Sequence, residues 1–99
     1  MKIFFKEGKP EDIVEKIRSE LGGRKLGEML DFSLSGDKLN VVIKKMGTSQ
    51  LEFSIKRDNP GSNWTLSQEK IALSHKVFKA EMMGKLTKII ERVGGKVTA

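Results

Sequence analysis

The chain has 99 residues, no cysteine, one histidine and one tryptophan, with 19 Lys+Arg against 13 Asp+Glu. The formal net charge is +6. The missing cysteines exclude disulfides, thiolate nucleophiles, Fe–S clusters and cysteine zinc sites, and point to an ordinary cytoplasmic protein.

The single histidine, His75, excludes multi-histidine metal sites. Acidic residues are scattered and interleaved with lysine, so no dedicated metal and no cofactor is expected. The length suits one domain, residues 1–99. Hydrophobic residues make up 37 % and charged residues 32 %. The apolar residues are too regularly patterned for a disordered chain. No apolar run approaches the ~18 residues of a membrane span. Ile3, Phe4 and Phe5 are followed at once by Lys6 and Glu7, too short for the apolar core of a signal peptide.

Ile3 and Phe5 alternate with Lys2, Phe4 and Lys6, which predicts a short strand. Gly8-Lys9-Pro10 breaks it, and Pro10 suits the first turn of a helix. Glu11 and Asp12 favour the positive end of the helix dipole. Ile13, Val14, Ile17 and Leu21 lie on one helical face, so a helix is expected over 10–21, stopped by Gly22-Gly23. Three strands follow, built on Leu30/Phe32/Leu34, Leu39/Val41/Ile43 and Leu51/Phe53/Ile55. Turns are expected at Ser35–Lys38 and Gly47–Ser49. Each strand has one apolar and one polar face, the pattern of an antiparallel sheet covered on one side. Asp58–Asn63 reads as a hairpin tip, after which Trp64 and Leu66 resume a strand. Residues 67–79 fit strand or helix spacing. A strand to about 77 and a helix from about 80 is preferred, because a helix from Ser67 to Val93 would be long for this chain. Met82, Met83, Leu86, Ile89, Ile90 and Val93 mark the apolar stripe of that helix, and Gly94-Gly95 ends it. Gly84 lies on its opposite face. The predicted order is β-α-β-β-β-(β)-α. The economical packing is an α+β two-layer sandwich, an antiparallel sheet with both helices on one face.

No catalytic motif emerges. Ser74 and His75 are adjacent, so on a strand their side chains would point apart. Ser62 or Ser67 would have to reach His75 in space to build a serine–histidine pair. Gly22–Gly27 carries Arg24 and Lys25 but lacks the order of a phosphate-binding loop, and it follows a helix rather than opening one. Trp64 and the Met82-Met83 pair read as core residues. The charge is unevenly spread. Residues 1–23 are net neutral, 24–63 carry +2 and 64–99 carry +4. Lys85, Lys88 and Arg92 follow helical spacing, with Lys76 and Lys79 just before them. These five are the candidate anion- or nucleic-acid-binding residues, set against a merely solvated face. The outer sheet face is expected to carry Asn40, Lys44, Gln50, Glu52, Ser54 and Lys56, with no aromatic on which a base could stack. Val42 and Met46 on that face, with the sheet edges, offer a surface for a homodimer.

Four stretches carry a resemblance: Gly36–Leu39, Gln50–Phe53, Lys70–Leu73, and Phe78 through Gly84 to Arg92. In these the chain resembles small polyhydroxyalkanoic acid system (granule-region) proteins over about residues 4–95. The loop 58–63 and Trp64 look like an insertion relative to that pattern. The resemblance implies a non-enzymatic bacterial accessory protein that meets a protein partner or a granule surface, and it assigns no functional residue. The element order is also similar to ribosome hibernation-promoting factors, and its αβββα part to double-stranded RNA-binding domains. The basic helix start of the latter is absent, and Lys76, Lys79 and Lys85 do not reproduce it. The leading expectation is a small non-catalytic binding or accessory protein. The alternatives are an RNA- or ribosome-binding protein using the basic C-terminal helix, and an enzyme with His75 as general base.

Overall fold

A computed structural model describes residues 1–98. Ala99, the last residue of the expected single domain, lies outside the described residues. The elements are β1 (Lys2–Phe5), α1 (Pro10–Leu21), α2 (Lys25–Met29), β2 (Leu30–Ser35), β3 (Lys38–Lys44), β4 (Thr48–Arg57), β5 (Ser62–Lys70), a 3-10 turn (Leu73–Phe78), α3 (Lys79–Arg92) and β6 (Gly95–Thr98). The fold is α+β. The six strands form one open antiparallel sheet in the order β2-β3-β4-β5-β1-β6.

Alternation decides the inner face of the sheet. Ile3 and Phe5, Leu39, Val41 and Ile43, Leu51, Phe53 and Ile55, and Trp64 are all buried there. The helices lie across this face and add Ile13, Val14, Ile17 and Leu21 from α1 and Leu86, Ile89 and Ile90 from α3 to the same core. Helix α1 occupies the predicted span, with Pro10 in its first turn and Glu11 and Asp12 beside it. Trp64 packs against Phe5 with ring centroids 4.7 Å apart, and its indole N–H donates to Ser62 Oγ at 2.9 Å.

Three elements differ from the sequence expectation. The strand expected to reach 77 ends at Lys70, because its partner has run out. Lys70 pairs with Gln50, and β4 begins only two residues earlier at Thr48. The Ala72 N–H bonds to the Ser49 hydroxyl instead of to a neighbouring strand, and the chain coils into the 3-10 turn. Helix α2 is one short turn, below the length at which periodicity shows. Strand β6 is four residues that follow the Gly94 stop and pair with β1. Without that pairing nothing in Gly-Lys-Val-Thr demands a strand.

Candidate functional site

The turn between β3 and β4 is Lys45-Met46-Gly47, and the 3-10 turn closes over it. Gly47 has φ +140°, and a Cβ there would stand 2.6 Å from Ser74 Oγ. Glycine therefore lets the two segments meet. Ser74 Oγ donates to the Met46 carbonyl at 2.8 Å. One nitrogen of His75, Nε2, lies 2.6 Å from the Lys45 carbonyl, and Nδ1 lies 2.5 Å from Ser49 Oγ.

The partners assign the hydrogens. A carbonyl only accepts, so Nε2 carries the proton. Nδ1 then accepts from the Ser49 hydroxyl, whose oxygen accepts the Ala72 N–H at 2.9 Å. His75 and Ser49 are 3 % and 0 % exposed. The sequence offered Ser62 and Ser67 as hydroxyls to reach His75 and set the adjacent Ser74 pointing away from it. Each is engaged elsewhere: Ser62 with Trp64, Ser67 with the Glu52 carbonyl, Ser74 with Met46. The true partner, Ser49, is visible only once β4 and the 3-10 turn are side by side. The His75–Ser49 pair is a polar clasp with both ring nitrogens occupied.

Outside the clasp the surface is apolar. Met46 is 90 % exposed, Leu73 82 %, Val77 83 % and Phe78 52 %. Among the described residues these are four of the five large exposed hydrophobic side chains, and all belong to the two segments the clasp joins. Lysines flank these segments in the chain, Lys44 and Lys45 before Met46, and Lys70, Lys76 and Lys79 about the 3-10 turn, while Glu69 holds Lys79 and Glu81 lines the cleft beside Phe78. Lys45 Nζ stands 6.0 Å from the centre of the Phe78 ring. Beside Phe78, a cleft of about 100 Å³ is lined by Leu26, Met29, Ile43 and Met82. It is smaller than the ~300 Å³ at which ordinary ligand pockets begin. Met46 thus belongs to a turn and not to the sheet face where alternation placed it.

The five predicted cations do not form one site. Lys76 belongs to the apolar end. Lys79 is bound to Glu69 at 2.5 Å, tying α3 to the end of β5. Lys85 pairs with Glu81 at 3.3 Å and Arg92 with Glu20 at 3.8 Å. Lys76 and Lys88 have no acidic partner among the described residues. Lys85, Lys88 and Arg92 do share a groove with Arg24 and Lys25 at the start of α2. The glycine-rich stretch therefore contributes its cations to the ridge on α3, which spacing along the chain does not show.

The outer sheet face also departs from expectation, because it does carry an aromatic. Phe4, on β1, is 44 % exposed there. On the exposed surface Arg57 donates a hydrogen bond to Glu11 at 3.2 Å, with a second ion-pair contact at 2.8 Å, and donates to Asp37 at 3.1 Å. The hydrogen bond from Arg57 holds the Glu11 carboxyl below its ordinary range. No protein-family model, curated protein or solved structure matches this chain.

Proposed function

We propose that this is a non-catalytic binding protein that docks its apolar, lysine-flanked end on an anionic lipid surface. Such a surface is offered by a membrane or by the lipid coat of a polyhydroxyalkanoate granule. The observation that carries the reading is the grouping of exposed Met46, Leu73, Val77 and Phe78, with Lys45 over the Phe78 ring and Lys44 and Lys76 next to them in the chain. Apolar side chains that enter the acyl boundary while lysines meet the headgroups are the physical pattern of interfacial binding. The clasp beneath supports the reading, since it holds these side chains outward on a fixed base. The resemblance to granule-region proteins points the same way. No helix among the described residues is long and apolar enough to cross a membrane.

The test is sedimentation with vesicles of phosphatidylcholine alone or mixed with phosphatidylglycerol. The protein is expected to pellet only with the anionic mixture. Val77→Asp is expected to weaken this at least about tenfold, since burying a valine side chain contributes ~1.5–3 kcal/mol. Its high exposure leaves the fold intact. Equal pelleting of the variant, or none by the parent, sinks the reading.

A second reading, an RNA- or ribosome-binding protein, is supported by the groove that gathers Arg24 and Lys25 beside Lys85, Lys88 and Arg92. The pairing of Arg24 and Arg92 with Glu20, and of Lys85 with Glu81, weakens it. Binding of a duplex RNA that falls with salt and is lost in Lys88→Glu would favour it over lipid docking.

A further inference from the structure

The sheet face turned away from the helices has its own chemistry. Strand β1 is not an edge strand. It lies between β5 and β6, so Phe4 projects from within the sheet. Across the ladder Phe4 faces Lys96 on β6 and Asn63 on β5, and Asn63 faces Lys56 on β4. The next row runs Thr98, Lys2, Thr65, Ser54, Lys38. One exposed ring thus sits among three lysines, Lys2, Lys56 and Lys96, and the hydrogen-bonding side chains of Asn63, Thr65 and Ser54. A shallow groove of about 420 Å³ runs past Lys2, Ser54, Lys56, Asn63 and Thr65. Asp58, in the β4–β5 hairpin, accepts from Asn63 Nδ2 at 2.6 Å, and Glu52, further along this face, is held by Lys38 at 3.2 Å.

We infer that this face binds single-stranded nucleic acid, with one base stacked on Phe4 and the adjoining phosphates held by Lys2, Lys56 and Lys96. Three features select that occupant. The ring has only polar neighbours on its own face, so it is an isolated stacking platform and not part of an apolar patch. The charge around it is positive, as a phosphate backbone requires. From Lys56 to Lys96 is three strand spacings, about 14 Å, so the cations flank the ring on both sides. A duplex keeps its bases stacked on one another and offers Phe4 none. The inference is independent of both readings above. The apolar clasp lies at the β3–β4 turn, while Phe4 lies in the row nearest the β4–β5 hairpin, and the groove on α3 belongs to the helical layer.

The experiment is fluorescence anisotropy with labelled oligouridylate of about 12 nucleotides, beside a duplex of equal length and inorganic polyphosphate, at ~50 mM salt. The single strand is expected to bind more tightly than the duplex. Phe4→Leu, which keeps an apolar side chain but no ring, is expected to weaken the single strand about tenfold and leave polyphosphate unchanged. Lys56→Glu is expected to weaken both and to flatten the salt dependence by about 0.7 in log–log slope. Lys16→Glu, an exposed position of α1 outside every surface named above, is expected to change neither, which controls for the change in net charge. Circular dichroism and the fluorescence of buried Trp64 report folding of each variant. Failure of the single strand to bind, equal binding of duplex, or no effect of Phe4→Leu in a folded variant overturns the inference.

Discussion

His75 has two neighbours that depend on it, the Ser49 hydroxyl and the Lys45 carbonyl. Replacing the ring by an apolar one of similar size leaves a buried donor and a carbonyl without partners. Each such loss costs about 1–3 kcal/mol. His75→Phe is therefore expected to destabilise the fold by about 2–4 kcal/mol in urea denaturation. Paired with Ser49→Ala it should be clearly non-additive, since the two groups share one hydrogen bond. A loss below about 0.5 kcal/mol would show that the clasp does not hold the 3-10 turn. Glu11 allows a second test at single-residue level. Its folded-state carboxyl titrates below the unfolded value because Arg57 donates to it. The stabilisation is thus present above the unfolded value and disappears as pH falls through the folded one. An NMR titration should find the Glu11 midpoint below the ordinary glutamate range, and back within it in Arg57→Gln.

Among the elements, α3 and the β3–β4 turn place opposite demands on glycine. Gly84 lies within α3, and a Cβ there would meet nothing within 4 Å. Gly84→Ala is expected to stabilise the protein by about 0.5–1 kcal/mol through helix propensity alone. Gly47→Ala is expected to destabilise it, because φ is +140° and the new methyl would strike Ser74 Oγ. The two thermal melts should shift in opposite directions. A drop for Gly84→Ala would mean that this face of α3 is covered by something outside the described chain. The same comparison shows what periodicity conveys. The stripe of α1 and the alternation of β2 to β4 were legible because each buries one continuous face. The 3-10 turn was not, because Leu73 and Val77 follow no buried face.

In the whole molecule the two ends of the chain lie side by side, as β1 and β6, and β1 is sandwiched inside the sheet. Gly95 begins β6 close against Ile90 and Phe5, too close for a Cβ, which would stand 2.5 Å from Ile90 Cγ2. Removing residues 95–99 would leave β1 as an edge and uncover part of the core around Phe5. A loss of about 2 kcal/mol is expected, from one partly buried valine and one strand pairing. For a domain of this size that lowers the Tm by roughly 8–16 °C. An unchanged Tm would show that β6 is a bystander.

Residue order alone was enough for the α+β class, the one-sided sheet, the span of α1, the hairpin at 58–63 and the placing of the core, including Trp64. These follow from local rules: which residues alternate, which recur every three or four, and where proline and glycine interrupt. The candidate surfaces did not follow from such rules. Phe4 became an outward ring inside the sheet only when β6 paired alongside β1. Ser49 met His75 only when β5 ran out of partner and turned back across β4. Arg24 and Lys25 joined the ridge on α3 only through helix packing. Each of these joins residues far apart in the chain, and such pairings are set by competition among whole strands and helices for partners, which no local pattern records.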